Sequence, residues 1–163
     1  MKTLILIRHA KSDWGDLSAP DYDRTLNHRG LHDAPVMGRR LAEQTLVPDL
    51  FTASSAVRAR MSAELMAEAM GYPEAQLHWR DELYLAEPST MLDIIRKTPE
   101  TVNSLALLAH NPGMTGLVER LTSERFDHMP TAGVVTLKAE IAHWREAGRR
   151  WQLHCFDYPE HLQ

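Results

Sequence analysis

The chain reads as an α/β protein, a three-layer α/β/α domain with a mostly parallel central sheet. Three observations support this. Short, nearly uninterrupted apolar runs occur at residues 3–7, 48–53 and 104–109, the pattern of strands buried on both faces. The stretches that follow each run carry helical spacing and helix-start residues. No internal repeat, low-complexity segment or domain-boundary linker interrupts the 163 residues, so a single domain spanning 1–163 is expected.

The elements follow in order. Thr3-Leu4-Ile5-Leu6-Ile7 forms the first strand and should end before the charged Arg8. A loop rich in Asp, Gly, Ser and Pro follows from Ser12 to Arg24. A helix is expected from about Asn27 to Thr45, with Leu31, Val36 and Leu41 among its apolar positions and Pro35 disturbing its hydrogen bonds. The second strand, at 48–53, leads through Ser54-Ser55 into a helix running to about Met70, with Ser55 as its N-cap. In that helix Met61, Leu65, Met66 and Met70 lie at core spacing. Residues 89–97 make a further helix. Strand 104–109 runs into Asn111 as N-cap and Pro112 as first helical residue of a helix to Thr122. Residues 134–137 and 151–155 complete the sheet.

The functional signal lies where the strands end. Arg8-His9 closes the first strand, Arg58 falls in the first turn after the second, and His110 closes the third. In open α/β sheets ligands bind at the carboxyl ends of the strands. A shared strand direction therefore brings two guanidiniums and two imidazoles to one edge, beside helix N-termini that favour anions. Such a set suits a phosphoryl group, its oxygens held in forked hydrogen bonds by arginine and an imidazole placed to attack or protonate.

The ordered motifs extend that reading. Arg8-His9-Ala10-Lys11-Ser12 with Trp14, Asp23-Arg24-Thr25-Leu26 with Gly30, and Ser54-Ser55-Ala56-Val57-Arg58-Ala59 come first. Glu82-Leu83-Tyr84, His110-Asn111-Pro112 and Pro130-Thr131-Ala132-Gly133 follow. In this order the chain resembles the histidine phosphatase (phosphoglycerate-mutase-like) superfamily, and within it the compact SixA-type phosphohistidine phosphatases. Ala10 stands where the commonest superfamily motif has Gly. The resemblance implies a histidine-phosphatase-like fold and His9 as the nucleophile, phosphorylated and then hydrolysed. It implies Arg8 and Arg58 on the phosphoryl oxygens and His110 completing the pocket. Ser12, Arg24 and Thr131 are expected at its rim, Arg24 being equally suited to a salt bridge with Asp21 or Asp23. Glu82 matches the position of the carboxylate that protonates an ester leaving group, or is an ordinary surface carboxylate. An imidazole leaving group, which can already carry a proton, relaxes the need for that acid.

Composition narrows the partners. Hydrophobic content of 44%, charged content of 25% and a formal charge of −4 are ordinary for a soluble protein. The Arg149-Arg150 pair is too short to make a basic stripe, so no nucleic-acid surface is expected. The single Cys155 excludes an internal disulfide and suits a reducing compartment. The N-terminal apolar run is strand-length, too short for a signal peptide or membrane span, so a cytoplasmic monomer without membrane contact is expected. His28 and His32, four apart, lack a third ligand, so neither metal nor cofactor is expected. His78, His128, His143, His154 and His161 have no motif context. The short segments between motifs leave little room for a lid, which favours a phosphohistidine presented by a phosphotransfer protein. A small phosphate ester is the alternative substrate, and a non-catalytic phospho-ligand module the alternative role.

Overall fold

In a computed structural model that describes residues 1–161, strands β1 (Lys2–Arg8), β2 (Leu50–Ser54), β3 (His78–Arg80), β4 (Ser104–Ala109), β5 (Val134–Ala139) and β6 (Gln152–Asp157) form one sheet. Their order is β3-β2-β4-β1-β5-β6. The first four in that order are mutually parallel, whereas β5 runs antiparallel to both β1 and β6. The sheet is thus mostly parallel: β5 alone runs against the others, and β6, antiparallel to β5, returns to the β1 direction. β3, three residues long, is too short to leave a periodic trace in the sequence. β1 extends one residue beyond the apolar run at each end, taking in Lys2 and Arg8.

Successive side chains of a strand face opposite sides, and this sorts the core into two halves. Leu4 and Leu6 pack with Leu105 and Leu107 on one face, under α3 (Pro88–Arg96) and α4 (Gly113–Thr122). Ile5 and Ile7 pack with Phe51, Ala106 and Leu108 on the other, under α1 (His28–Glu43) and α2 (Val57–Met70). The helices thus form the outer two layers.

Helix ends match their chemistry with three adjustments. Asn27 caps α1 by accepting from the Gly30 N–H at 2.9 Å. α1 continues through Pro35; proline has no N–H for the Leu31 carbonyl, but Leu31 is exposed, so water can serve that oxygen. The buried face of α1 is Ala34, Met37, Gly38 and Leu41 rather than Leu31. Ser55 does not cap α2: the N-cap is Ala56. The Ser55 hydroxyl instead donates to Asp81 and accepts from Tyr22. α4 begins at Gly113, one residue later than expected, after a cis Asn111–Pro112 peptide. Asn111 still serves that helix start, its Oδ1 accepting from the Thr115 N–H at 3.0 Å.

Two glycines are demanded by geometry. Gly71 ends α2 at φ 81°, a left-handed conformation that disfavours a side chain. At Gly30 a Cβ would stand 2.3 Å from the Lys11 carbonyl oxygen, so only glycine lets α1 press against the loop that follows His9. Among the described residues, no helix is long and apolar enough to cross a membrane.

Candidate active site

Strand register brings the site together. Arg8 of β1 is paired with Ala109 of β4, Ala53 of β2 with Leu108 of β4, and Ser54 with Arg80 of β3. Four parallel strands therefore end nearly in line, and the next residues, His9 and His110, project at one edge. Arg58, near the start of α2, reaches the same place. The His9 and His110 rings lie 5.1 Å apart between centroids, and the Arg58 Nε stands 3.4 Å from His9 Nε2.

His9 is buried, 6% exposed, with Nδ1 2.7 Å from the Ala10 carbonyl oxygen. A carbonyl only accepts, so Nδ1 carries the ring proton and Nε2 keeps its lone pair toward Arg58. Burial pushes the His9 pKa down to about 4, and the charges of Arg58, Arg8 and Arg24 push the same way, against the Ala10 hydrogen bond. His9 is thus a neutral imidazole with one defined free nitrogen. Its backbone is pinned on both sides: its N–H donates to Ala109 and its carbonyl accepts from Ala132.

His110 is 1% exposed. Its pKa is lowered to about 3, by burial first, then by the neighbouring His9 imidazole, beside which a second positive charge is disfavoured, and by the charge of Arg58. Its Nε2 lies 2.8 Å from the Ser54 hydroxyl. That hydroxyl accepts from the Ala56 N–H at 3.3 Å, and its own proton is free to point at His110 Nε2, the arrangement that puts the His110 proton on Nδ1. Among the described residues, two buried side-chain polar atoms lack a partner, and both are here: His110 Nδ1 and Arg8 Nε. Buried polar groups are almost always paired. Two orphaned donors at one strand-end cluster describe a place prepared for an anion.

The remaining Arg8 contacts hold it still: one terminal nitrogen donates to the Met129 carbonyl at 3.0 Å and lies 3.3 Å from His128 Nε2. His128, without motif context in the sequence, thus abuts the site. Asp21, read from the sequence only as a partner for Arg24, is more central. Its backbone carbonyl accepts from Arg58 at 2.8 Å, and its carboxylate lies 3.1 Å from both Arg58 and Arg24. The Tyr84 hydroxyl donates to the same carboxylate, holding its pKa down to about 2 together with the Arg58 charge. Tyr84 also sets its ring edge-on to His110, 5.5 Å between centroids. The motif containing Tyr84 was visible in the sequence; its contact with Asp21, across 63 positions, was not.

The other expected residues divide. Arg24 and Ser12 are buried and bonded to each other, and Arg24 stacks on Trp14 with 3.5 Å to the ring centroid. They brace Asp21. Arg60, two residues after Arg58, lies over the Trp79 ring and outside the cluster. Thr131 sits on the turn whose next residue, Ala132, bonds the His9 carbonyl. Glu82 is not brought to the cluster. It is exposed and paired with Arg80, which holds its carboxyl below the ordinary range, the opposite of what a proton donor needs. The physical reason is local: Glu82 lies on a 3-10 turn, Asp81–Leu83, whose buried residue is Leu83. His28 and His32 gather no metal set, since among the described residues no three His, Cys, Asp or Glu are grouped to hold an ion.

Comparison with known proteins identifies the family. Residues 4–91 match the model of the histidine phosphatase superfamily (branch 1). A chloroplastic protein of Arabidopsis thaliana, itself uncharacterized, is 30% identical over 155 residues, covering 90% of this chain and 70% of its own. A structure from Agrobacterium tumefaciens, provisionally named phosphohistidine phosphatase SixA, superposes with a TM-score of 0.84 at 29% identity over 97% of this chain and 98% of its own. The protein histidine phosphatase SixA complexed with tungstate shares the fold, with a TM-score of 0.84 at 18% identity over 96% and 97% of the two chains. With its paired strand-end histidines and arginines, its sheet order and these relatives, the chain belongs to the histidine phosphatase superfamily, as a SixA-like phosphatase of branch 1.

Proposed function

We propose that this protein hydrolyses the phosphoryl group of phosphohistidine on a phosphotransfer protein, through a phosphohistidine intermediate on His9. The observation that carries the reading is the pair of orphaned buried donors, Arg8 Nε and His110 Nδ1, beside a neutral His9. In the first step the His9 Nε2 lone pair forms the new N–P bond as the substrate P–N bond breaks, its electrons leaving with the substrate imidazole. Arg8, Arg58 and His110 hold the three phosphoryl oxygens, where electrostatic stabilisation dominates phosphoryl transfer. The proton on Nδ1, shared with the Ala10 carbonyl, stays in place throughout. Water then attacks phosphorus and His9 departs again as a neutral imidazole.

Two further features favour a protein-borne phosphohistidine over a small ester. The one motif carboxylate suited to protonating an alkoxide, Glu82, is exposed and ion-paired with Arg80. Near the site, Trp14 is 66% and Leu85 55% exposed, apolar surface of the kind a docking protein covers. The side chains named supply the transfer's charges without a metal ion, and the substrate is met in the cytoplasm by a monomer.

Turnover of a phosphohistidine-bearing protein is compared with that of small phosphate esters, for wild type and His9→Ala, with and without chelator. Preference for phosphohistidine, abolished by His9→Ala and indifferent to chelator, is expected. Efficient ester hydrolysis with phosphohistidine ignored overturns the substrate assignment. Substantial turnover by His9→Ala removes His9 as nucleophile.

A further inference from the structure

Asp21 is an anion placed at a site built for anions. Its carboxylate occupies the outer end of the Arg58 guanidinium, at Nη2, whereas Nε of the same group faces His9 Nε2. The Asp21 side chain is 44% exposed, and that of Arg58 is 3% exposed. From the nucleophile outward the order is therefore His9, Arg58, Asp21, solvent. In-line transfer sends the leaving group away from His9, and Asp21 is the partly exposed carboxylate bonded to the Arg58 guanidinium that borders His9. Tyr84, Arg24 and Arg58 all bond the carboxylate and keep it ionised.

We propose that Asp21 is a specificity-determining residue, its carboxylate selecting a leaving group that carries a proton and positive charge over one that leaves as an anion. This rests on the phosphohistidine reading above and deepens it. An imidazole leaves readily only as the neutral ring, so the nitrogen distal to phosphorus must hold a proton when the P–N bond breaks. Ring and proton together are cationic before cleavage, and a carboxylate beside them favours that form. As the bond breaks, its electron pair passes to the departing nitrogen, the positive charge is lost from that ring, and the distal proton stays where it was. The charge appears instead on phosphorylated His9, whose own distal proton is held by the Ala10 carbonyl. Transfer is then an exchange between two imidazoles, each with its far nitrogen protonated, the proton held by a carbonyl on the enzyme side and the cationic ring favoured by the Asp21 charge on the substrate side. An ester meets the reverse: its leaving oxygen gains negative charge toward a fixed anion.

The test is the ratio of kcat/KM for phosphohistidine to that for p-nitrophenyl phosphate, in wild type, Asp21→Asn and Tyr84→Phe. Asp21→Asn should lower the ratio about fivefold, as expected for removing a partly exposed charge from beside a cation. Tyr84→Phe, which keeps that charge, should leave the ratio within about twofold while changing both rates together. If Asp21 only anchors Arg58, Asp21→Asn slows both substrates equally, and an unchanged ratio overturns the inference alone. If wild type itself prefers the ester, the phosphohistidine reading falls, and the selecting role of Asp21 with it.

Discussion

The chemistry of this protein depends on which nitrogen of each histidine holds the proton. For His9 the Ala10 carbonyl decides it, and for His110 the partner is the Ser54 hydroxyl, which holds the proton on Nδ1 when it donates to Nε2. Ser54 touches no reacting atom; it is a positioning residue that keeps the His110 proton on the orphaned Nδ1. Ser54→Ala frees Nε2 to take that proton, since neutral imidazole has two tautomers. The expected result is a fall in kcat of about tenfold or more, the scale of losing a phosphoryl-oxygen donor in part. Ser54→Thr, which restores a hydroxyl, should recover most of it. Nitrogen NMR of the imidazoles should find Nδ1 protonated on His110 in wild type and the proton moved in Ser54→Ala. Equal kcat in all three proteins, with no change of tautomer, removes Ser54 from this role.

At the scale of elements, close approach of one segment to another sets the geometry. α1 meets the loop following His9 at Gly30, where an added methyl would collide with the Lys11 carbonyl at 2.3 Å. That carbonyl also accepts from the Asn27 N–H, so it cannot retreat without loosening the helix start. Gly30→Ala gains the ordinary helix preference of alanine, about 1 kcal/mol, but the collision with backbone outweighs it. A net loss of about 1–3 kcal/mol is expected, read as a lower urea midpoint, with reduced activity because Lys11 is two residues from His9. A raised midpoint would show that the loop yields freely. α2 contributes in a different way: its early position carries Arg58 into the site, and the Ser62 hydroxyl one turn on accepts from the Ala10 N–H at 2.9 Å. One helix thus holds both the loop that follows His9 and the Arg58 guanidinium.

The whole molecule should record the site's charges in its stability against pH. His9 and His110 have folded pKa values of about 4 and about 3, below the ordinary 6.5. Between those values the unfolded chain binds more protons than the folded one, so stability falls as pH drops below about 6.5. Asp21 acts in the same direction at lower pH. Its folded value of about 2 lies below the ordinary 3.8, so its contribution is present above 3.8 and is lost as pH falls toward 2. Urea midpoints measured from pH 7 to pH 4 should decline, and replacing both histidines with glutamine should flatten that decline. A slope unchanged by the double substitution would mean the rings titrate normally in the fold.

Much of this protein was determined locally, along the chain. The apolar runs gave strands because residues of alternating direction had to be buried on both faces, and β1, β2 and β4 sit on those runs. Arg8, His9, Arg58 and His110 were legible as a set because each follows a strand or opens a helix, and parallel strands share an end. Capping was legible where it is a neighbour effect, as at Asn27. The tertiary structure decided what depends on residues far apart in sequence. β3 is a strand because β2 offers an edge, not because three residues prefer one. Glu82 lost the place its motif position suggested, since its turn leaves it on Arg80 in solvent. Asp21 gained a place at the site because Arg58, Arg24 and Tyr84 meet on one carboxylate only when the sheet brings their segments together. Periodicity reports burial and neighbours within a turn or two; which charges converge, and which nitrogen keeps its proton, is a property of the assembled sheet edge.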